Sequence, residues 1–173
     1  NAEIRGEIYA EAARIQNNMG DGKAALAYIN RALAQDGRPI FKWMKGNILF
    51  DLERFQEALQ VLVSCEKDFP EGDMVMFRIG ECYQRVGRME EAAEYFNRTL
   101  EIDPENRRAN GKLTEIYRDL LDEKEDMDFY EKGLFYADRQ IQLQPEAYYY
   151  VERGLLHMAA ACYGRAVQDF EEA

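Results

Sequence analysis

Residues 73–106 read DMVMFRIGECYQRVGRMEEAAEYFNRTLEIDPEN, and the apolar spacing in this stretch decides the fold class. In its first half, apolar and small residues recur at helical spacing and share one face: Met76, Ile79, Gly80 and Tyr83. Gly87 interrupts this helix. A second apolar stripe follows and ends before Pro104, which cannot continue a helix: Met89, Ala92, Ala93, Phe96 and Leu100. The stretch therefore predicts two amphipathic helices joined by a glycine turn, an αα-hairpin.

The same pattern recurs along the chain at a fixed distance. Gly46 and Gly80 are 34 residues apart, and so are Ala58 and Ala92. Self-similarity at this period is typical of helix-turn-helix arrays. We therefore expect an all-α fold, a solenoid that forms a single domain over residues 1–173. Its five repeats are expected at residues 5–38, 39–72, 73–106, 107–146 and 147–173.

The fourth repeat departs from this period. Ala92 and Ala166 are 74 residues apart, which is one period of 34 residues and one of 40. The six extra residues fall within LDEKEDMD, residues 121–128. Six residues are close to two helical turns, so each helix of this repeat can lengthen by about one turn. A protruding acidic loop is the alternative.

The hairpin of residues 73–106 resembles the tetratricopeptide repeat (TPR) family. The family pattern is a large residue, Leu-Gly, Tyr, a glycine turn, an aromatic residue, Ala, Phe or Tyr, a second small residue and Pro. The residues here that match it are Met76, Ile79, Gly80, Tyr83, Gly87, Met89, Ala92, Phe96, Thr99 and Pro104. The resemblance implies a right-handed α-α superhelix. It also implies a non-catalytic protein-protein interaction module that binds a peptide or partner segment in its concave groove. A structural spacer or regulatory array attached to other domains of a longer protein is the alternative.

Composition argues against several classes of partner. The net charge is −11 and the isoelectric point about 4.7. Nucleic acids and anionic membranes attract clustered Lys and Arg, so we expect neither as a partner. No apolar stretch is long enough for a membrane helix, and no signal segment opens the chain. The chain begins with Asn1 rather than Met, so we interpret it as a processed chain or a fragment of a longer protein.

The residues that most often carry chemistry form no catalytic or metal-binding arrangement in this sequence. His157 is the only histidine, and we expect it to be packed inside the last repeat. An odd number of cysteines without C-x-x-C spacing argues against disulfides and zinc, and favours a reducing, cytoplasmic location: Cys65, Cys82 and Cys162. The acidic run at residues 122–128 lacks the order of an EF-hand loop. We therefore expect no enzyme activity and no cofactor.

Family groove positions, carried onto this chain, give a candidate binding surface on the first helix of each repeat. The predicted site residues are Trp43, Asn47, Phe50, Phe77, Arg78, Arg85, Arg108, Lys112 and Arg118. The fifth repeat would add Tyr148, Val151, Glu152, Leu155 and Met158. Trp residues often anchor interfaces, but packing between repeats is an equal alternative for Trp43.

Some family members clamp the C-terminal carboxylate of a partner with Lys, Asn and Arg side chains. Asn47 matches one clamp position, and Arg108 with Lys112 resemble another. Trp43 and Arg78 stand where the clamp has Lys and Asn. The resemblance thus implies an acidic or C-terminal peptide as partner, with looser specificity. Self-association through an uncapped C-terminal end is a further expectation.

Overall fold

The computed structural model describes residues 2–173, and within them the chain is all α-helical, with no strand. The α-helices are Ala2–Asn18 (α1), Gly22–Gln35 (α2), Pro39–Asp51 (α3), Phe55–Cys65 (α4), Asp73–Arg85 (α5), Met89–Ile102 (α6), Arg107–Lys124 (α7), Met127–Leu143 (α8), Ala147–Ala159 (α9) and Tyr163–Glu172 (α10). A short 3₁₀ turn, Glu66–Asp68, follows α4. The predicted fold class, an all-α array of helix-turn-helix units, is confirmed.

Four connections between consecutive helices use the same left-handed turn. Its central residue has a positive φ: 83° at Gly20, 58° at Glu53, 79° at Gly87 and 56° at Ala161. At Gly87 the amide donates to Gln84 O (3.1 Å). The next amide donates to the carbonyl five residues back, and the other three turns repeat this pair of bonds. This is the Schellman arrangement, which satisfies the last carbonyls of the preceding helix.

The extra residues of the fourth repeat lie within its helices. α7 has 18 residues and α8 has 17, compared with 13 in α5 and 14 in α6. Only Glu125 and Asp126 connect them. Glu125 has a φ of 54° and its amide donates to Leu121 O (2.8 Å), and the Asp126 carboxylate caps α8. Both helices are therefore about one turn longer, and the alternative of a protruding acidic loop is wrong.

The helices form two compact units, divided after Arg88. In the first unit, small residues let helices approach closely. A Cβ atom on Gly46 would lie 2.4 Å from Leu62 Cδ2, so α3 and α4 can pack as they do only with glycine there. A core of buried side chains joins α1, α2 and α3: Ala10, Ala13, Ala25, Ile29, Ala32, Phe41 and Ile48.

The second unit contains α6 to α10. One of its apolar clusters joins the lengthened helices to α9 through three buried side chains, Leu121, Tyr130 and Leu156. Gly154 of α9 packs against Phe170 of α10, because a Cβ atom there would lie 2.5 Å from the Phe170 ring. In each unit, packing of first and second helices leaves one face of the first helices for other contacts.

Candidate functional site

Three of the predicted site residues share one face of α3. Trp43, Asn47 and Phe50 are spaced four and three residues apart, and all three are half-buried. The Asn47 side-chain amide donates to Trp43 O (3.0 Å), which holds it against its own helix. The Phe50 ring meets the Phe55 ring edge-on at a centroid distance of 5.2 Å. The α3 face therefore combines two aromatic rings with an amide.

α5 adds cationic side chains to this face. The guanidinium of Arg78 lies 4.4 Å from the centre of the Phe50 ring and forms an ion pair with Glu81 (3.0 Å). Arg85 is exposed and lies 4.4 Å from the Phe55 ring centre. Phe77, predicted to present an apolar group, is only 6% exposed, so little of its ring can contact a partner. The structure thus brings Arg78 to Phe50 and turns Phe77 inward.

Trp43 is the only tryptophan of the chain and makes few polar contacts. Among residues 2–173, no ring stacks on its indole and no acceptor receives its N–H. The side chain is neither fully buried nor fully exposed. A half-buried indole with an unused donor has the chemistry of an interface anchor.

In the second unit, the predicted cations lie along α7, and Lys112 and Arg118 have acidic partners. Lys112 Nζ lies 2.9 Å from Glu115, one turn along the same helix. Arg118 reaches Glu152 of α9 at 3.2 Å. Arg108 is exposed at the first turn of α7. The three residues follow one face of α7, with much of their positive charge offset by carboxylates.

α9 carries an exposed apolar stripe beside these charges. Its members and exposed fractions are Tyr148 (62%), Val151 (36%), Leu155 (36%) and Met158 (46%). Their spacing of three and four residues places them on one helical face. Arg118 contacts α9 through Glu152, next to Val151 in sequence. The apolar surface of this unit's first helices is therefore on α9, and the polar surface on α7.

The thiols and the histidine do not face this surface as reactive groups. Burial raises the pKa of the Cys65 thiol, whose Sγ donates to Leu62 O at 3.3 Å. Burial also raises the pKa of Cys82 to about 12, so both thiols stay protonated near neutral pH. His157 is 5% exposed and lies inside a buried polar cluster, as expected for a packed histidine.

That buried cluster ties three helices together. Arg153 of α9 binds both carboxylate oxygens of Asp169 on α10 (2.6 and 2.9 Å) and Asp138 of α8 (2.6 Å). His157 Nε2 lies 3.4 Å from Asp169, and its Nδ1 lies 3.0 Å from the Tyr130 hydroxyl. Because the carboxylate only accepts, the proton of the neutral imidazole is placed on Nε2, and Tyr130 donates to Nδ1. The cluster holds the last repeat together.

No helix within residues 2–173 is both long and apolar enough to span a lipid bilayer.

The family model of the tetratricopeptide repeat matches residues 10–63 and 44–107, more than half of the chain. A TPR repeat-containing protein, MJ1428 of Methanocaldococcus jannaschii, is 22% identical over 154 residues. This alignment covers 87% of the present chain and 27% of the relative, so the chain spans about a quarter of that protein's length.

Solved structures of low sequence identity share the fold. A MamA structure superposes with a TM-score of 0.86 at 16% identity, over 97% of this chain and 89% of that chain. MamA from Desulfovibrio magneticus RS-1, residues 41 to the end, gives 0.84 at 19% identity, over 97% and 92%. YrrB, described as a TPR protein with an unusual peptide-binding site, gives 0.80 at 16% identity, over 95% and 82%. With its helix-turn-helix repeats and the family match over residues 10–107, the chain belongs to the tetratricopeptide repeat family.

Proposed function

We propose that the chain is a non-catalytic protein-interaction module that binds a peptide or an extended segment of a partner protein along the first helices of its repeats. The observation that carries this proposal is the α3 face, where Trp43 stands half-exposed with an unused indole donor beside Asn47 and Phe50. Aromatic anchors flanked by amides suit an extended chain, whose backbone needs donors and acceptors. The peptide-binding site named for YrrB, a protein of the same fold, supports the class of function.

The chemistry of the partner follows from the cations on the first helices of each unit. Arg78, Lys112 and Arg118 each have a carboxylate partner in the free protein. The Lys112–Glu115 pair is the most exposed of the three, and an exposed pair is worth about 0–1 kcal/mol, so a ligand carboxylate can replace Glu115 at small cost. We retain the proposal that the partner segment is acidic or ends in a C-terminal carboxylate, with Arg108 and Lys112 as the receiving cations.

The exposed stripe of α9 extends the proposal to apolar side chains of the partner. Tyr148, Leu155 and Met158 present apolar surface next to the charged face of α7. An acidic segment with interspersed apolar residues matches this combination better than a purely acidic one. We propose that such a segment is bound inside a reducing, cytoplasmic compartment, where the three free thiols persist.

Selection of peptides from a random library on the intact chain tests the proposal. Trp43→Ala should weaken the selected peptides by about tenfold or more, since a buried aromatic anchor contributes about 2 kcal/mol. Gln60→Ala, an exposed change on α4, is the matched control and should change affinity less than twofold. The fluorescence of the single Trp reports binding to the unchanged chain, and the anisotropy of a labelled peptide measures binding to both proteins. If the peptides bind the Trp43→Ala variant as tightly as the unchanged chain, the proposed site on α3 is wrong, and the structural-spacer alternative is favoured.

The acidic preference has a test of its own within the same selection. Arg108→Ala with Lys112→Ala should weaken acidic peptides by about tenfold through the loss of two charge contacts. Arg139→Ala with Lys132→Ala removes the same charge from α8 and serves as the control. Equal affinity for acidic and amidated, neutral versions of one peptide would contradict the preference.

Self-association is a second candidate, favoured by one observation on α10. Tyr163 (65% exposed), Val167 (54%) and Phe170 (40%) follow one face of this short helix, spaced four and three residues apart. Burying such a stripe against a second copy would remove apolar surface from water.

A further inference from the structure

An open cleft of about 510 Å³ lies among α6, α7 and α8 of the second unit. One wall is α6 and the other is the first half of α8, with Tyr117 and Leu120 of α7 between them. Along α6 the wall carries charged and polar side chains: Glu90, Glu94, Asn97, Arg98 and Glu101. At one place the Tyr136 hydroxyl of α8 donates to Asn97 Oδ1, which connects α8 directly to α6.

Some charged side chains at the cleft form ion pairs and others do not. Lys124 is paired with Glu90, and Lys132 with Asp128 at 2.9 Å. Hydrogen bonds to these carboxylates raise the pKa of both lysines, which stay charged and neutralised. Glu94 and Glu101 are exposed, two helical turns apart on the same wall, and no cation within residues 2–173 contacts either. Arg98 lies between them on the same wall, with its guanidinium over the Tyr95 ring (4.7 Å). The cleft therefore has two carboxylates that form no ion pair in the described part of the chain.

Aromatic rings stand opposite these carboxylates. Tyr117 stacks on Phe129 (centroids 6.2 Å apart, planes 21° apart) and on Tyr136 (5.9 Å, 12°). Tyr117 and Phe129 line the cleft. The rings already attract cations, because Lys124 and Lys132 lie 5.6 and 5.5 Å from the centre of Phe129. Ring faces beside carboxylates are the setting that proteins use for guanidinium and ammonium groups.

The unit that contains the cleft has a net negative charge, the same sign as the Glu94 and Glu101 carboxylates. Of the 33 acidic residues, 20 lie in residues 89–173, but only 10 of the 22 basic residues do. Nearly all of the net charge of −11 therefore belongs to the unit that holds the cleft. A field of this sign draws cationic segments and repels nucleic acid and anionic lipid.

We propose that the α6–α8 cleft is a second binding site, which takes an Arg- or Lys-containing segment of a partner protein. The Glu94 and Glu101 carboxylates receive the cationic groups, and the exposed parts of the half-buried Tyr117 and Phe129 rings contact the aliphatic stem of the side chain. Shape, aromatic lining and unpaired charge agree on a basic occupant. The carboxylates of this site are on α6, and none of its lining residues belongs to the proposed acidic-peptide site.

The test uses the intact chain and a fluorescein-labelled decapeptide of alternating Arg and Ala. Glu94→Gln with Glu101→Gln should weaken its binding about tenfold, the combined effect of two charge contacts. Glu171→Gln with Glu172→Gln, on exposed residues of α10, removes the same charge from the same unit and should weaken binding less than twofold. If both pairs weaken binding equally, only the overall field attracts the peptide, and the proposal is overturned.

Two further measurements locate the site. NMR titration with the unlabelled Arg–Ala peptide should shift amide signals of α6 and of residues 127–133 before those of α3 and α5. Shifts confined to other helices would overturn the proposal, as would a Glu–Ala decapeptide that binds the cleft as tightly. Trp43→Ala should leave the Arg–Ala affinity unchanged, so failure here and failure of the α3 site can be told apart.

Discussion

At the scale of single residues, the most consequential group is the buried cluster around Arg153. The sequence predicted that His157 packs inside the last repeat, and its 5% exposure agrees. The partners of His157 could not be predicted, because Tyr130 is 27 residues away and Asp169 is on the next helix. Hydrogen bonds and charges from three helices now determine how this region responds to substitution and to pH.

Asp169→Asn should destabilise the chain by about 2 kcal/mol or more, since it leaves the Arg153 guanidinium without its buried partner. The Asp169 side chain is 5% exposed and binds two nitrogens of Arg153. Asp138→Asn removes a contact of the same arginine at a carboxylate that is 42% exposed, and should cost less than about 1 kcal/mol. Urea denaturation of the two variants checks the contrast, and equal losses would contradict it.

The pH dependence of stability should include a contribution from His157. Burial lowers the pKa of its imidazole in the folded chain, although the nearby Asp169 raises it in part. In the unfolded chain the imidazole keeps its ordinary pKa of about 6.5, so the unfolded chain binds more protons than the folded chain. The free energy of unfolding therefore falls as the pH falls from 7.5 to 5.5. The slope from one proton is at most about 1.4 kcal/mol per pH unit.

His157→Gln isolates that contribution, because every other titrating group is kept. The difference in unfolding free energy between the unchanged chain and this variant should shrink as pH falls through this window. Arg153, Arg165 and Asp138 also act on the imidazole and are unaltered in both proteins. A pH-independent difference between the two would show that burial does not suppress protonation of His157.

At the scale of helices and turns, the helix-breaking residues of the sequence predicted many of the observed helix ends. Gly87 was expected to interrupt a helix, and it has a φ of 79°. Glu53 and Ala161 occupy equivalent turns with positive φ and no glycine, which a pattern search for glycine does not find. The sequence allowed either longer α7 and α8 helices or a protruding acidic loop. The structure has the longer helices, because the left-handed Glu125 ends α7 and the Asp126 side chain caps α8 directly after it.

Ala161→Gly should stabilise the chain by about 0.5–1 kcal/mol. The left-handed conformation costs an L-residue about 1–2 kcal/mol, and the greater conformational entropy of glycine in the unfolded chain offsets part of the gain from relieving it. Gly87→Ala should destabilise it by a similar amount, since a Cβ there meets no neighbour and only the backbone is strained. Thermal denaturation of both variants checks the opposite signs. Destabilisation by Ala161→Gly would contradict the backbone argument.

At the scale of the whole molecule, charge and exposed apolar surface are distributed unevenly. Residues 89–173 hold most of the negative charge and also the exposed stripe of α10, with Tyr163 and Val167. Composition alone gives only the sum of the charge. The α6–α8 cleft was not predicted, although the excess of acidic residues after position 88 was a signal available in the sequence.

Tyr163→Ser with Val167→Ser should reduce self-association, because it removes most of the apolar stripe that a second copy would cover. Light scattering on the unchanged chain should show a mass that rises with concentration, and the variant should stay closer to 20.2 kDa. Gln56→Ser with Gln60→Ser, exposed on α4, is the control. If the unchanged chain is monomeric at all concentrations, the self-association proposal is wrong.

The sequence by itself determined the helix-turn-helix period, the all-α class and the family, because apolar spacing, glycine and proline act over a few residues at a time. Tertiary structure alone decided that Phe77 turns inward, that Arg118 pairs with Glu152, and that Glu94 and Glu101 stand unpaired beside Tyr117. These outcomes depend on which helix faces pack together. Distances between side chains far apart in sequence are determined by that packing and not by any local pattern.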